Sequence, residues 1–188
     1  MDPVAAEARE TARQLLEGTL PIRWSHVRSV GATAELVASA LDESDRMLLV
    51  AAAWLHDIGY APALVDTGFH PLDGARWLRR AGWAPRVVGL VANHSYSLVE
   101  AAERGLAGEL AAEFPAEQSA VAEALAYCDL TTGPDGRRVD LVDRLAEIRS
   151  RYGRDSVVGR FVDRAEGDMV ETVGRVEARL GLRGPSAG

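Results

Sequence analysis

The sequence has no lysine and very little cysteine or histidine. Its 188 residues include one cysteine (Cys128) and four histidines, and all 21 basic residues are arginines. Without lysine the chain can form neither a Schiff-base enzyme nor a Walker A loop, whose lysine reaches the nucleotide phosphates. One cysteine excludes an internal disulfide, a CxxC redox pair, a thiolate zinc finger and a self-contained iron–sulfur cluster. Any metal bound by this chain must therefore take nitrogen and oxygen ligands.

Concentrated positive charge and long apolar runs are also missing. The formal net charge is −7, from 21 basic and 28 acidic residues, and no basic run stands out. Nucleic-acid binders need a concentrated basic face, so we expect no nucleic-acid partner. The longest apolar run, 47–55, is too short for a membrane span, and the N-terminus lacks the layout of a signal peptide. We expect a cytoplasmic protein with no membrane partner.

The apolar periodicity predicts an all-α fold of about seven or eight helices. No stretch alternates apolar and polar residues for long enough to form a strand. We expect one domain over 1–183, with its motif region at about 20–150, and a disordered tail at 184–188. Short helical pieces are predicted between 98 and 114. The longer helices are predicted at about 3–17, 22–41, 44–58, 71–82, 85–94, 115–130, 139–152 and 156–180.

The second and third predicted helices carry the clearest core signal. The second has an apolar seam at spacings of three and four residues. The third is apolar on nearly every face, which predicts the central buried helix. The seam consists of Val27, Val30, Ala34, Val37 and Leu41.

Histidines and aspartates occur on or beside these inward faces. His26 flanks the apolar seam, His56 and Asp57 end the most buried helix, and His94 and Asp129 align with apolar residues of their own helices. A buried, unpaired carboxylate costs several kcal/mol, so pairing or a metal is expected. Imidazole and carboxylate together suit iron, manganese, cobalt or zinc. One ligand per helix is also how helical bundles build metal sites.

Each of these residues also has an ordinary structural explanation. A single inward histidine is more often a hydrogen-bonded core residue, and Cys128 is most simply a small buried hydrophobe. His70, just before a predicted helix, fits an ordinary loop. The joint placement of all four histidines and two aspartates favours one shared metal site.

The order of these residues resembles the HD superfamily of metal-dependent phosphohydrolases. The resemblance covers roughly residues 20–150 and implies an all-α bundle around a central metal site. The segments that carry it are WSH (24–26), AWLHDIG (53–59), FHPLDGA (69–75), NHS (93–95) and YCD (127–129).

The resemblance implies a ligand set. The first histidine, the HD pair and the late aspartate of the family bind one metal, which here implies His26, His56, Asp57 and Asp129. Members with two further histidines hold a second metal, with the HD aspartate bridging the two ions. Here the resemblance implies His70 and His94 as the ligands of that second metal.

The number of metals stays open at this point. We favour a binuclear site, with iron or manganese as the first candidates and cobalt, nickel, zinc or magnesium as alternatives. In a mononuclear enzyme, His70 and His94 would instead contact the substrate phosphate or protonate the leaving group. Asp57, His70 and His94 are accordingly the predicted catalytic residues, with Asp57 orienting the hydroxide.

The chain departs from the family where many members continue the motif as HDxGK. Tyr60 stands where their lysine stands. Arginines must then supply the phosphate contacts, and arginine suits bidentate phosphate binding. The predicted substrate-binding residues are Arg23, Arg28, Tyr60, Arg137 and Arg138.

The leading functional hypothesis is hydrolysis of a nucleotide or another small phosphate ester through a metal-activated water. One alternative is a mixed-valent di-iron oxygenase that cleaves a C–C or C–P bond. Some relatives with the same six ligands catalyse such a cleavage. Another is a ligand-sensing HD domain without catalysis. The last long helix, with its apolar residues between 157 and 180, packs either on the core or on a second copy of the chain, so a homodimer is a further expectation.

Overall fold

The structure, a computed structural model, describes residues 2–182 and has ten α-helices within them. The predicted all-α class is confirmed, and these residues form no strand beyond one isolated bridge between Thr132 and Arg138. The helices are α1 (Pro3–Leu16), α2 (Pro21–Val37), α3 (Glu43–Leu55), α4 (His70–Arg80), α5 (Pro85–Ala92), α6 (Ser97–Arg104), α7 (Ala107–Glu113), α8 (Ala120–Leu130), α9 (Leu141–Tyr152) and α10 (Val157–Arg179).

The helix count exceeds seven or eight because the short pieces predicted between 98 and 114 form two separate helices, α6 and α7. Three short 3₁₀ turns complete the helical structure, at Ala38–Ala40, Ile58–Tyr60 and His94–Tyr96. The predicted tail at 184–188 lies outside the described residues. The single-domain boundaries of 1–183 stay a prediction.

Two predicted helix ends were wrong, and both changes affect the site. Helix α3 ends at Leu55, so the His56–Asp57 pair lies in the turn that follows it. Helix α4 begins at His70 itself, with Pro71 in its first turn, where the missing proline N–H costs nothing. Each of these ligand candidates therefore lies at a helix end.

A third predicted boundary was wrong at the start of α8. The helix begins at Ala120 instead of Pro115. The Ser119 hydroxyl accepts a hydrogen bond from the Ala122 N–H, which makes Ser119 the N-cap. A serine cap satisfies a free N–H at the start of a helix, whereas proline only tolerates that position.

Helix α3 is the centre of the fold, as predicted. It packs against α1, α2, α5 and α8, and its residues from Leu49 to Leu55 are all buried. The predicted seam of α2 is buried along its whole length. A Cβ atom at Gly31 would lie 2.5 Å from the Trp54 ring, so glycine allows α2 to approach α3 closely. This contact fixes His26 of α2 relative to the end of α3.

Helix α10 packs against α6, α8 and α9. Its buried side includes Val162, Ala165, Met169, Val173 and Val176. Within the described residues, no helix is both long and apolar enough to cross a bilayer. Helix α8 thus contacts both α3 and α10, and it carries Asp129 of the site.

Candidate metal centre

Six side chains from five separate parts of the chain meet beside the end of α3. They form two groups of three, and in each group the candidate ligand atoms lie within 4.8 Å of one another. The first group contains His26, His56 and Asp129, and the second contains Asp57, His70 and His94. These are the six residues that the sequence analysis named as metal ligands.

The first group is almost closed to solvent. His26 Nε2 lies 3.0 Å from Asp129 Oδ1, and His56 Nε2 lies 3.9 Å from the same oxygen. His56 Nε2 is fully buried and makes no hydrogen bond. A buried polar atom without a partner is costly unless an ion or water binds it, so this nitrogen fits a metal ligand.

Asp57 connects the two groups. Its Oδ2 faces the first group, 3.4 Å from His56 Nε2 and 3.8 Å from His26 Nε2. Its Oδ1 faces the second group, 3.2 Å from His70 Nε2 and 3.9 Å from His94 Nε2. One carboxylate oxygen thus points at each group, which is the arrangement that a bridging ligand needs.

The second group places two imidazole nitrogens face to face. His70 Nε2 and His94 Nε2 are 3.2 Å apart. The Nδ1 atom of His94 lies 2.6 Å from the Val91 carbonyl and donates to it, so the Nε2 of a neutral His94 carries a lone pair. That lone pair and the Asp57 oxygen point toward the same space, as ligands of one cation would.

Backbone carbonyls fix the orientation of the other histidines in the same way. His26 Nδ1 donates to the Gly133 carbonyl at 2.9 Å, and His56 Nδ1 donates to the Ala53 carbonyl at 2.8 Å. Such bonds hold the ring and its tautomer, leaving Nε2 unprotonated for a metal. Three of the four histidines are therefore arranged to offer Nε2 inward.

A close backbone contact joins the HD pair to His70. A Cβ atom at Gly59 would lie 2.0 Å from the His70 carbonyl oxygen, so only glycine fits there. Asp73 organises the preceding loop, because its buried carboxylate accepts hydrogen bonds from the N–H groups of Asp66, Thr67 and Gly68 at 2.9 to 3.1 Å. The sequence analysis quoted Asp73 within its motif but gave it no role.

Ser95 supports Asp129, a role that its place in the NHS segment did not predict. Its hydroxyl donates to Asp129 Oδ2 at 2.5 Å. Ser95 and Tyr96 both have left-handed backbone conformations, with φ of 47° and 65°, which non-glycine residues rarely adopt. The Tyr96 hydroxyl holds this turn by bonding to the Asp168 carbonyl and to Thr172 of α10, each at 2.7 Å.

The electrostatics of the site keep the carboxylates charged and the affected imidazoles neutral. Burial lowers the pKa of His56, and it lowers the pKa of His70 to about 4. Burial alone would raise the pKa of Asp57, but Arg23, then His56 and His70, outweigh it and hold that pKa well below its usual range. Burial likewise opposes the ionisation of Asp129, but the contact between its Oδ1 and His26, followed by the nearby His56, outweighs burial and lowers its pKa. Neutral imidazole and ionised carboxylate are the forms that bind a metal.

Arg23 and Tyr60 close the solvent side of this arrangement. A guanidinium nitrogen of Arg23 lies 2.7 Å from Asp57 Oδ2, and the guanidinium carbon lies 4.1 Å from the Tyr60 ring centroid. The Tyr60 ring in turn stacks on His70, with centroids 3.9 Å apart. Asp57, Arg23, Tyr60 and His70 therefore form a closed ring of contacts. The position that departs from the HDxGK pattern lies inside the site.

The remaining predicted substrate-binding arginines do not line the cavity beside the six ligands. Arg28 is exposed on α2, and Arg137 is exposed and pairs with Asp135. Arg138 donates a short hydrogen bond to the Tyr127 hydroxyl. The loop that carries Arg137 and Arg138 packs on α2 through its backbone instead, where Ser25 donates to the Asp135 carbonyl.

The structure brings a different arginine, Arg144 of α9, into the cavity wall. One guanidinium nitrogen pairs with Glu147 at 2.6 Å, and the buried Nε makes no hydrogen bond. Helix α9 follows a loop of irregular structure, so periodicity alone could not place Arg144 near the histidines. The cavity beside the ligands, about 100 Å³ in volume, thus has one arginine on α2 and one on α9.

The family model for the HD domain matches residues 23–147, a region that contains all six converging side chains. The chain belongs to the HD domain family. No curated protein and no solved structure matches the chain.

Family membership indicates the general type of function. The HD domain is an all-α fold of the metal-dependent phosphohydrolase type, and its members bind divalent metals. The donor set found here, neutral imidazole nitrogens with charged carboxylates around an unbonded His56 Nε2, fits that property.

Proposed function

We propose that this HD domain protein hydrolyses a small phosphate ester, a nucleotide being one such substrate. The observation that carries the proposal is a pair of three-residue groups, with Asp57 lying between them, beside a cavity whose lining includes two arginines. Paired ligand groups suit phosphate chemistry because an in-line displacement has both an attacking and a leaving oxygen to stabilise.

In this proposal, His26, His56 and Asp129 hold one divalent ion, and His70 and His94 hold a second, with Asp57 shared between them. Iron and manganese are the preferred ions, and cobalt, nickel, zinc and magnesium are the alternatives. When bound, such ions supply a lowered pKa for water and charge neutralisation at phosphoryl oxygens. Asp57 connects the two ligand groups, because one of its carboxylate oxygens faces each group.

Arg23 and Arg144 bind the phosphoryl group in this proposal. Both line the cavity, and guanidinium groups match phosphate oxygens in bidentate geometry. Burial lowers the pKa of Arg23, but the nearby Asp57 and Tyr60 more than compensate, so the net pKa is raised and the side chain stays charged. If only one ion binds, His70 or His94 carries the proton to the leaving group.

The first experiment tests metal dependence. The protein is stripped with a chelator and reloaded with manganese or iron, and phosphate release is measured over a panel of nucleotides and small phosphate esters. We expect activity that is lost on chelation and restored by metal, and we expect His56→Ala to lose bound metal and activity together. A metal-loaded protein that releases phosphate from no ester would contradict the proposal.

The same preparation distinguishes the other two hypotheses. Two irons per chain with a mixed-valent EPR signal and oxygen consumption would indicate the oxygenase. A fully loaded protein that binds a phosphorylated ligand without turning it over would indicate a sensing domain.

Arginine variants test the phosphate contacts. Arg144→Gln and Arg23→Gln are expected to weaken substrate binding by about tenfold each, in the range of a charge-assisted hydrogen bond to phosphate. Arg80→Gln is the matched control, because Arg80 is exposed at the opposite end of α4 from His70. Equal substrate affinity in all three variants would remove the arginines from the proposal.

A further inference from the structure

A second cavity lies next to the 100 Å³ cavity beside the six candidate ligands, which we call the metal cavity, and shares a wall with it. Arg23 and Tyr60 line both cavities. The second cavity has a volume of about 350 Å³, and its other lining residues include Leu20, Ile22, Pro134 and Arg151. Most of its surface is apolar, in contrast to the charged metal cavity.

The sizes of the two cavities bear on what a substrate must do. The metal cavity, at about 100 Å³, has room for a phosphoryl group and a few waters, since one water needs roughly 10–15 Å³ by the same measure. Pockets that bury a whole small molecule are typically about 300–1,000 Å³. The alcohol part of an ester bound at Asp57 must therefore lie outside the metal cavity.

Helix α9 borders both cavities. Arg144 and Ile148 line the metal cavity, and Arg151 lines the second one. Their spacing of four and then three residues places them on one face of the helix. A ligand could follow this face from the metal groups past Tyr60 into the apolar cavity.

A larger neighbouring groove suits an anionic ester poorly. A groove of about 770 Å³ borders the site at Ser95, on the side of α8 and α10. Its lining contains four acidic residues and two arginines, and both arginines already pair with Glu123. The apolar cavity carries no carboxylate among its lining residues.

The apolar cavity also exposes a hydrophobic side chain to water. Ile22, at the start of α2, is 72% exposed, and the Tyr60 ring stands partly open beside it. Covering these surfaces with an apolar group would be favourable, and the Tyr60 face can stack on a flat ring. Arg151, although paired with Glu147, adds a cation at the far end.

We propose that this cavity is the binding subsite for the leaving group, and that the substrate is a phosphate monoester of a flat, apolar or aromatic alcohol. The inference rests on the proposed phosphatase function and adds the substrate class. The ester oxygen that joins the phosphoryl group to the ring then lies beside Arg23 and Tyr60, which line both cavities.

The test compares naphthyl phosphate with glycerol phosphate as substrates of the manganese-loaded protein. The variants are Ile22→Gln and Leu36→Gln, two exposed residues of α2, with Leu36 at 76% exposure and absent from the lining of either cavity. We expect Ile22→Gln to raise the KM for naphthyl phosphate by about tenfold, equivalent to 1.4 kcal/mol, while the KM for glycerol phosphate stays unchanged. Leu36→Gln should match the wild type with both esters.

The outcomes separate the subsite from the activity. Turnover of both esters with KM values that Ile22→Gln leaves alone, or changes equally, overturns the subsite and leaves the phosphatase. If neither ester is hydrolysed, the phosphatase fails, and calorimetric titration with naphthyl phosphate decides the subsite. Weaker binding only in Ile22→Gln supports it, and equal binding in all three proteins overturns it.

Discussion

The Tyr60 ring lies flat against the His70 imidazole, with the two ring planes 16° apart. The same tyrosine carries Arg23 at 4.1 Å from its centroid, and both partners contact Asp57. Tyr60 thus supports two of the groups that hold the central carboxylate. An aromatic ring does this where many family members have a flexible cationic side chain.

Replacing Tyr60 is expected to separate its ring from its hydroxyl. Tyr60→Phe keeps the stacked ring and should bind manganese within about twofold of wild type, whereas Tyr60→Leu should bind about tenfold more weakly, because a stacked aromatic pair contributes roughly 0.5–1.5 kcal/mol. Calorimetric metal titration checks both. Equal affinities in the two variants would show that the stack does not position His70.

The shared position of Asp57 predicts a stoichiometry. Asp57→Asn should weaken metal binding at both groups, while Asp129→Asn should directly weaken only the first and affect the second only through Asp57, because Asp129 pairs with His26 and His56. Metal content after dialysis, measured by mass spectrometry, should be near zero for Asp57→Asn and near one ion for Asp129→Asn. Circular dichroism provides the folding control. Equal metal content in the two variants would contradict the bridging arrangement.

Gly59 is expected to tolerate no side chain. Gly59→Ala places a methyl group against the His70 carbonyl and should lower the free energy of unfolding by about 1–3 kcal/mol, the usual cost of overpacking. Gly89→Ala is the matched control, since a Cβ atom there has nothing within 4 Å and α5 should gain about 0.5–1 kcal/mol from losing glycine. Urea denaturation measures both. A neutral Gly59→Ala would mean that the turn after Asp57 can move away from α4.

An ion-pair network between α4 and α7 predicts a pH-dependent stability. Hydrogen bonding to Arg76, and then to Arg79, lowers the pKa of Glu113 below its ordinary 4.5. Because the folded-state pKa is lowered, this stabilisation is present above pH 4.5 and is lost as the pH falls through the folded-state value. Glu113→Gln should therefore cost about 1 kcal/mol at pH 7 and little at pH 3.

The control for that measurement is Glu109→Gln, which contacts the same Arg76 from a more exposed position. It should cost less at pH 7 because water screens the pair more strongly. Denaturation curves for the three proteins at both pH values give the comparison. A Glu113→Gln deficit that persists at pH 3 would assign the effect to packing.

Much of the metal centre could be predicted from the sequence because its residues lie in apolar, periodic surroundings. His26 and Asp129 occur on helices whose buried faces are evident from spacing alone, and the His56–Asp57 pair directly follows the most apolar helix. The resemblance to the HD superfamily then assigned a ligand role to each of these residues. All six predicted ligands lie together in the structure, and their role in binding metal stays a prediction.

The cavity wall could not be predicted in the same way. Arg144 is one of 21 arginines, and its place depends on the path of the irregular loop before α9. Ser95 reaches Asp129 only through two consecutive left-handed residues, which no helical periodicity describes. Arg137 and Arg138 follow Asp129 closely in sequence, yet they do not line the cavity. Their loop is irregular, so its path could not be predicted from helical periodicity either.

The single carboxylate between the two groups has a thermodynamic consequence. An ion at either position would restrict the Asp57 side chain that the other position also uses, so occupancy of one changes the affinity of the other by a coupling free energy. By linkage that coupling is reciprocal, and it has the same size whichever position fills first. An ion bound at one position would therefore act as an effector of the other position, through the single Asp57 side chain that follows the most buried helix.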